Sequence, residues 1–464
     1  MQKITFFLLV FIAAQGISQN TSPITYDLFL SNVLQNNPLA KRANNEKKYG
    51  ETQLNAAKGN YDPIMSGSYD QKQFNGINYF TNVNSEIKQA IFTSQYLKFG
   101  YDYGNGNYLN PENNSLAPGQ AYLGIEIGLL QGLRIDKRRA EFLKSKEYLN
   151  YYEAEQRIQL NSLLFESSQR YFDWLFNLKQ LALNQYFMQI AKQRLNGIEA
   201  LAIIGERASV DTIEAAIFYQ ARLSDLQNAL IENQKVGNEI LSYNWQKDQS
   251  SNLNENISTN DSLDMYFNKA KKILNEQFNQ SQSANPVITK YHSLQKVLEV
   301  ENRLKKEMIK PLLNFKYNFL SNNALSAYPS LSNNNYKVGM QLSFPIFLRN
   351  PTNDYKMAKI NAQNNQLELI SKTTELSFKT QALKKTMAIL ANQLQNAEKT
   401  VRYSKVLVDA EKLKFANGES TLFMLNTRES KWLESEIKLA EFKLKFIKTL
   451  INLIYLNGDL NYAF

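Results

Sequence analysis

Apolar and polar residues alternate over a few short stretches of this chain and recur every three to four residues over much longer ones. After Ala121, residues Leu123, Ile125, Ile127 and Leu129 interleave with Tyr122, Gly124, Glu126 and Gly128. This period-two pattern predicts a strand with one apolar and one polar face. From Asn335, residues Val338, Met340, Leu342 and Phe344 interleave with Lys337, Gly339, Gln341 and Ser343 in the same way. Each stretch runs through a Leu-Arg pair, Leu133-Arg134 or Leu348-Arg349, into a long text of helix formers. Two-faced strands are therefore expected to continue directly into very long helices.

The pattern is written twice. Asn37-Pro38 and Asn285-Pro286 each start a helix with an N-cap and a proline at the first helical position. Each of these helices meets a second proline, Pro63 or Pro311, and a strand follows. In the second copy Leu313, Phe315, Tyr317 and Phe319 alternate with Asn314, Lys316 and Asn318. The long helices break at Gly205 and at Gly418, and each resumes within a few residues. Two repeats are expected, over 20–245 and 246–464, each reading helix, strand, strand, long helix, tip, long helix. The first carries roughly thirty extra residues between its strands, aromatic-rich and again alternating. Leu425, Trp432, Leu439, Phe446 and Leu453 recur every seven residues, with Ser435, Phe442, Thr449 and Leu456 completing a coiled-coil seam. Ala216, Tyr219, Leu223, Leu226 and Leu230 form a similar stripe. The helix from Ile135 to Leu195 is on the order of 60 residues, or roughly 90 Å long. An amphipathic helix in a soluble bundle is the plainer reading, and the length argues against it.

Composition places this pattern in a compartment. Lys3, the apolar run Ile4 to Ala14 and the small or polar residues up to Gln19 read as a signal peptide over 1–19. The chain has no cysteine among its 464 residues, so neither a disulfide nor a lipid-anchor cysteine is available. No later apolar run is long enough for a transmembrane helix, so a membrane crossing would have to be a barrel. About four strands per chain cannot close one, whereas three chains would supply roughly twelve. Tyr61, Tyr69, Phe74, Phe92, Tyr96, Tyr101 and Tyr103 crowd this region, as interfacial girdles require. A soluble β-sandwich beside a coiled coil is the competing arrangement. The net charge of +10 is spread among acidic residues, which argues against nucleic acid as a partner.

The duplicated order, the Asn-Pro helix starts, the Leu-Arg pairs, the glycine tips and the terminal Tyr455-Leu456-Asn457-Gly458 together resemble the outer-membrane efflux (TolC-like) family. The resemblance spans essentially the whole mature chain. It implies a mixed α+β membrane protein: a homotrimeric twelve-stranded outer-membrane β-barrel, continued by a long α-helical coiled-coil periplasmic tunnel. It further implies a passive exit duct of a tripartite efflux or type I secretion system. The expected partners are a periplasmic adaptor, an inner-membrane RND or ABC-type pump and outer-membrane lipid, with no cofactor. By the same resemblance Gly205, Arg207, Asp211, Phe415, Gly418 and Ser420 fall at the tips that gate the tunnel and meet the adaptor. Asp211 matches an acidic latch position, or it is simply an N-cap of the returning helix. Its usual tyrosine and arginine partners align with Phe415 and Ser420. The acidic pair of the family's cation constriction aligns with Met424 and Thr427. A packing latch helped by Arg207 is expected instead.

Nothing points to an enzyme. His292, the only histidine, reads as a surface helix residue without a partner pattern. Glu299 and Glu301 lie on different helix faces. An exported structural or adhesive coiled-coil protein without a pore is the main rival. Strands flanking the hairpins in both copies are of no use to a fibre. A periplasmic adaptor is a further rival, although adaptors normally carry one hairpin.

Overall fold

The computed structural model describes residues 23–91, 94–110, 119–246, 249–250, 257–276, 285–321 and 331–458. The leader expected over 1–19 and Phe92 lie outside them. Two short helices, α1 (Tyr26–Asn36) and α2 (Pro38–Gly59), lead into four strands: β1 (Ile64–Phe74), β2 (Ile77–Ala90), β3 (Gln95–Asn105) and β4 (Gln120–Gly128). The first long hairpin is α3 (Lys137–Ile203) with α4 (Ser209–Tyr243). A two-residue ladder follows, β5 (Trp245–Gln246) with β6 (Gln249–Ser250), then α5 (Leu263–Glu276) and α6 (Pro286–Glu307). The chain continues through β7 (Leu312–Ser321) and β8 (Leu331–Ser343) to the second hairpin, α7 (Arg349–Ala416) with α8 (Leu422–Asn457).

The two asparagines do more than start helices. The side chains of Asn37 and Asn285 accept hydrogen bonds from the amides of Leu39 and Val287, each at 2.9 Å, and so cap α2 and α6. Their Nδ2 groups donate to the carbonyls of Tyr243 (3.4 Å) and Leu456 (2.6 Å). Each N-cap thus also ties the end of a long hairpin to the helix that opens the same half of the chain.

The long helices are longer than the sequence suggested. α3 has 67 residues and α7 has 68, each about 100 Å at 1.5 Å per residue. They lie in a row, α4 against α3, α3 against α8, and α8 against α7. Leu425, Trp432, Phe446 and Leu453 of α8 are buried, so that heptad seam is an internal one. Trp432 packs on Phe187 of α3, ring centroids 5.0 Å apart, beside Val408 of α7. The α4 stripe is less covered: Tyr219 and Leu223 are half-buried and Leu230 is exposed. Apolar residues also remain open along the outer helices, Val210, Ile213 and Ile217 on α4, and Met357, Ile360, Leu367 and Ile370 on α7.

Midway along the row lies the main core. Tyr26 and Phe29 of α1, Tyr171, Phe172 and Trp174 of α3, Tyr266 and Phe267 of α5, and Phe446, Ile447 and Leu450 of α8 are buried together. Burial of each such side chain contributes about 1.5–3 kcal/mol. Asp261 Oδ2 sits at its edge and accepts from the Tyr26 amide (2.8 Å), the Tyr171 hydroxyl (2.7 Å) and the Tyr266 hydroxyl (2.9 Å). Burial first, and this carboxylate second, push the Tyr266 phenol well above its ordinary range.

The sheet corrects the expected strand count. Among the described residues six strands, not four, form it in the order β1-β2-β3-β4-β7-β8, all antiparallel. The extra residues of the first half supply the surplus pair. Asn75 (φ 51°) and Gly76 (φ 74°) reverse the chain between β1 and β2, the positive-φ pair that a two-residue hairpin turn demands.

Candidate functional site: the hairpin tips and the strand wall

The two tips share one construction. α3 ends at Ile203, and Gly205 (φ 80°) reverses the backbone. The amides of Gly205 and Glu206 return to the carbonyls of Ala202 (3.1 Å) and Leu201 (3.0 Å). α7 ends at Ala416, Gly418 has φ 75°, and the amides of Gly418 and Glu419 return to Phe415 (3.2 Å) and Lys414 (2.8 Å). Both are Schellman closures, which place a glycine in the left-handed region. Thr421 then caps α8 through its side chain, accepting from the Met424 amide at 3.2 Å, whereas Ala208 precedes α4 without a side-chain cap. Asp211 is therefore not the N-cap. It sits in the first turn of α4, where a carboxylate still favours the helix dipole. Among the described residues no side chain pairs with it.

Arg207 is the residue that joins the tips. Its guanidinium lies 4.5 Å from the centroid of the Phe415 ring, and its Nη2 donates to the Phe415 carbonyl at 3.3 Å. Phe415 in turn packs on Ile198, Ala215 and Leu422. The phenylalanine cannot donate a hydrogen bond as a tyrosine would, but it offers a ring face and a carbonyl to the same arginine. Ser420 turns instead to its own hairpin, donating to Glu411, which also faces Arg428 at 3.8 Å. Met424 and Thr427 are exposed, on the side of α8 away from buried Leu425, Asn426 and Glu429.

One constellation escaped the sequence reading. Arg194 of α3 donates to Glu429 Oε1 (2.5 Å) and Asn426 Oδ1 (2.8 Å) of α8, and Glu429 is only 1% exposed. Lys412 of α7 stands 3.9 Å from the same carboxylate. The pair clamps the two hairpins together above the tips. Its signal in the sequence was faint, a charged residue on the apolar side of a heptad stripe.

At the other end of the row the strand wall has an inverted polarity. The registers place all charged residues of the six strands on one face: Asp70 and Lys72, Glu86 and Lys88, Lys98 and Asp102, Glu126, Lys316, and Lys337. On β4 this face is the sheltered one. Glu126 and Tyr122 are each 8% exposed, whereas Ile125 on the opposite face is 38% exposed. Met65, Ile87, Phe99, Leu123, Phe319 and Tyr336 continue the apolar face across all six strands. On the charged face Lys98 bridges Glu126 (2.8 Å) and Glu86 (3.4 Å), Lys88 reaches Glu126 (3.3 Å), and the Tyr122 hydroxyl donates to Glu86 (2.8 Å). A soluble sheet buries its apolar face; a barrel in lipid exposes it and keeps the polar one inside. No helix of the described residues is long and apolar enough to cross a membrane. His292 is exposed on α6, as expected.

An amphipathic sheet with an outward apolar face, carried on two helical hairpins of about 100 Å, is the fold of outer-membrane channels. Solved structures share it over nearly the whole chain. The Campylobacter jejuni CmeC outer membrane channel aligns with a TM-score of 0.62 and 13% identity, covering 98% of this chain and 94% of its own. The outer membrane protein VceC of Vibrio cholerae gives 0.64 at 11% identity, covering 93% and 95%. The open state of the Neisseria gonorrhoeae MtrE outer membrane channel gives 0.64 at 14% identity, covering 93% and 88%. No family model and no curated protein sequence matches the chain.

Proposed function

We propose that this protein is a trimeric exit duct of the outer membrane, built from two structural repeats over 20–245 and 246–464. Its strands form the membrane wall and its helical hairpins a periplasmic tunnel. The inverted polarity of the sheet carries the reading, because a wall with lipid outside and water inside is what such a surface fits. The open apolar faces of α4 and α7 support the trimer. They flank the helix row at opposite ends, where a neighbouring copy would cover them. The tips around Gly205, Arg207 and Asp211, and around Phe415, Gly418 and Ser420, would close the periplasmic end and receive an adaptor, with an inner-membrane pump supplying the energy. Transport then needs no cofactor and no bond breaking.

The test is reconstitution. Protein extracted from outer-membrane fractions is expected to run as a trimer in mild detergent and to open discrete conductance steps in planar bilayers. A folded monomer that inserts without conductance would sink the duct and favour an exported coiled-coil protein without a pore.

A further inference from the structure

The six strands per chain change the barrel itself. We infer that β8 of one copy pairs with β1 of the next, with Lys337 opposite Asp70, so that three copies close an eighteen-stranded wall instead of a twelve-stranded one. This rests on the trimeric duct proposed above.

Three observations carry it. First, the surplus hairpin is part of the wall and not a flap beside it. β2 and β3 pair along their length with β1 and β4, and the Lys98, Glu86 and Glu126 cluster locks them to β4. Their charged and apolar faces stay in phase with those of β7 and β8. Second, β1 and β8 are the two open edges of the sheet. Every residue of β1 is exposed. An unpaired edge is not tolerated in hydrocarbon. An even number of strands per copy makes the β8–β1 seam antiparallel, like every other pair in the sheet.

Third, the stagger selects the register. The row Ile64–Lys88–Lys98–Gly124–Asn318–Lys337 runs straight across the hydrogen-bonded ladder. It begins at the first residue of β1 and meets β8 at Lys337, six residues before its last, Ser343. Both ends face the helices. The row climbs these six residues over the five ladders within one copy; with Ser343 set level with Ile64 of the next copy, since both lie at the helix end, the seam adds none. The rise is then one residue per strand, the ratio of shear to strand number that tilts strands by about 36°, within the usual range for outer-membrane barrels. Carried into the next copy, the row arrives six residues above Ile64, at Asp70. Asp70 and Lys337 both lie on the charged face, so the pairing keeps the faces aligned and sets opposite charges together. Shifting by two residues, the smallest step that preserves the faces, puts Lys337 opposite Ser68 or Lys72, and the second of these is repulsive. With strands 4.8 Å apart at this tilt, eighteen enclose about 34 Å between backbones, against about 23 Å for twelve.

The natural absence of cysteine gives a clean test. Asp70→Cys with Lys337→Cys, oxidised in outer membranes, should give covalent dimers and trimers on non-reducing gels. Ser68→Cys or Lys72→Cys with the same partner should react at least about tenfold more slowly, since a disulfide needs Cβ atoms about 3.5–4.5 Å apart. The single-cysteine chains, run in parallel by mass in mild detergent, report trimer formation separately. Trimers with no disulfide in any pair would overturn the seam while leaving the duct standing. A disulfide closed within one monomer would overturn it also. Should the double-cysteine chain misfold, charge exchange decides: Asp70→Lys should loosen the trimer and Lys337→Asp in the same chain should restore it. Loosening that is not restored would refute the pairing.

Discussion

Replacing Arg207 by alanine tests how the tips are held. Two interactions vanish. A guanidinium 4.5 Å from a ring centroid at a half-exposed site contributes about 0.5–1 kcal/mol. A charged donor to the Phe415 carbonyl at 3.3 Å sits at the long end of hydrogen-bond distances and adds about 1–1.5 kcal/mol. Together they make about 1.5–2.5 kcal/mol in each copy, or roughly 10- to 70-fold in the equilibrium between joined and parted tips. Phe415→Leu keeps the carbonyl and most of the packing on Ile198 and Leu422, so it should lose only the ring's share. Asp211→Ala should change little, since no side chain pairs with Asp211 among the described residues. The assay is resting conductance of the reconstituted protein in planar bilayers, with protease nicking at the tips as a second readout. The expected order of leak is Arg207→Ala, then Phe415→Leu, then Asp211→Ala near wild type. Wild-type leak from Arg207→Ala, or a large leak from Asp211→Ala, would refute the reasoning.

Two further outcomes follow from ion pairs between the helices. Arg194→Met strands the Glu429 carboxylate and should destabilise the hairpin pair by about 3 kcal/mol, the low end for a broken buried ion pair because Lys412 is near. Adding Glu429→Leu should recover most of this in thermal melts; no recovery would mean that the geometry of the pair, and not its charge, matters. At Asp264 burial raises the carboxyl pKa, but the hydrogen bond and charge of Lys443 (2.6 Å), with Lys179 (3.4 Å), outweigh it and hold the group below its usual range. The contribution is therefore present above the unfolded value of about 3.9 and lost as pH falls through the folded one. Acid should loosen α5 from α8 in hydrogen exchange, and Asp264→Asn should abolish that pH dependence; an unchanged acid transition in the variant would place its origin elsewhere.

What the sequence disclosed depended on how strongly each pattern was imposed. Long helices without breakers and glycine tips stand out because both are local. Gly205 and Gly418 had to be glycine for the turn, and the turn is where the sequence placed it. β2 was missed as a strand because Thr81, Val83, Ser85 and Ile87 make a mild apolar face, and its turn with β1 needs only two residues. The Arg194–Glu429 clamp was nearly illegible because its partners are 235 residues apart. Arg207 was expected to help the latch from its place near Asp211, but its reach to Phe415 is a tertiary fact. A phenylalanine at 415 has no hydroxyl to donate, as the sequence alone makes plain. It was not evident that the backbone carbonyl of the same residue would accept a hydrogen bond.

The surplus hairpin also explains a recess in the wall. α2 runs into β1, β4 into α3, α6 into β7 and β8 into α7, so four strands each continue a helix. β2 and β3 have none beneath them. Their connecting turn closes on the chain that leaves β4: Ser94 accepts from the Gly128 amide through its carbonyl (2.8 Å), and its hydroxyl donates to the Gly132 carbonyl (2.9 Å). Gly132 has φ 84°, and a Cβ there would stand 2.2 Å from the Ser94 hydroxyl, so only glycine allows this closure. Below the turn, Tyr61 at the end of α2 and Phe142 and Leu143 of α3 line a cavity of about 580 Å³ with Ala90 and Ile91. Two strands hung between helices that still touch must leave such a space, because a hairpin widens the sheet without widening the row that supports it. The wall therefore broadens above the helices, which keep their spacing.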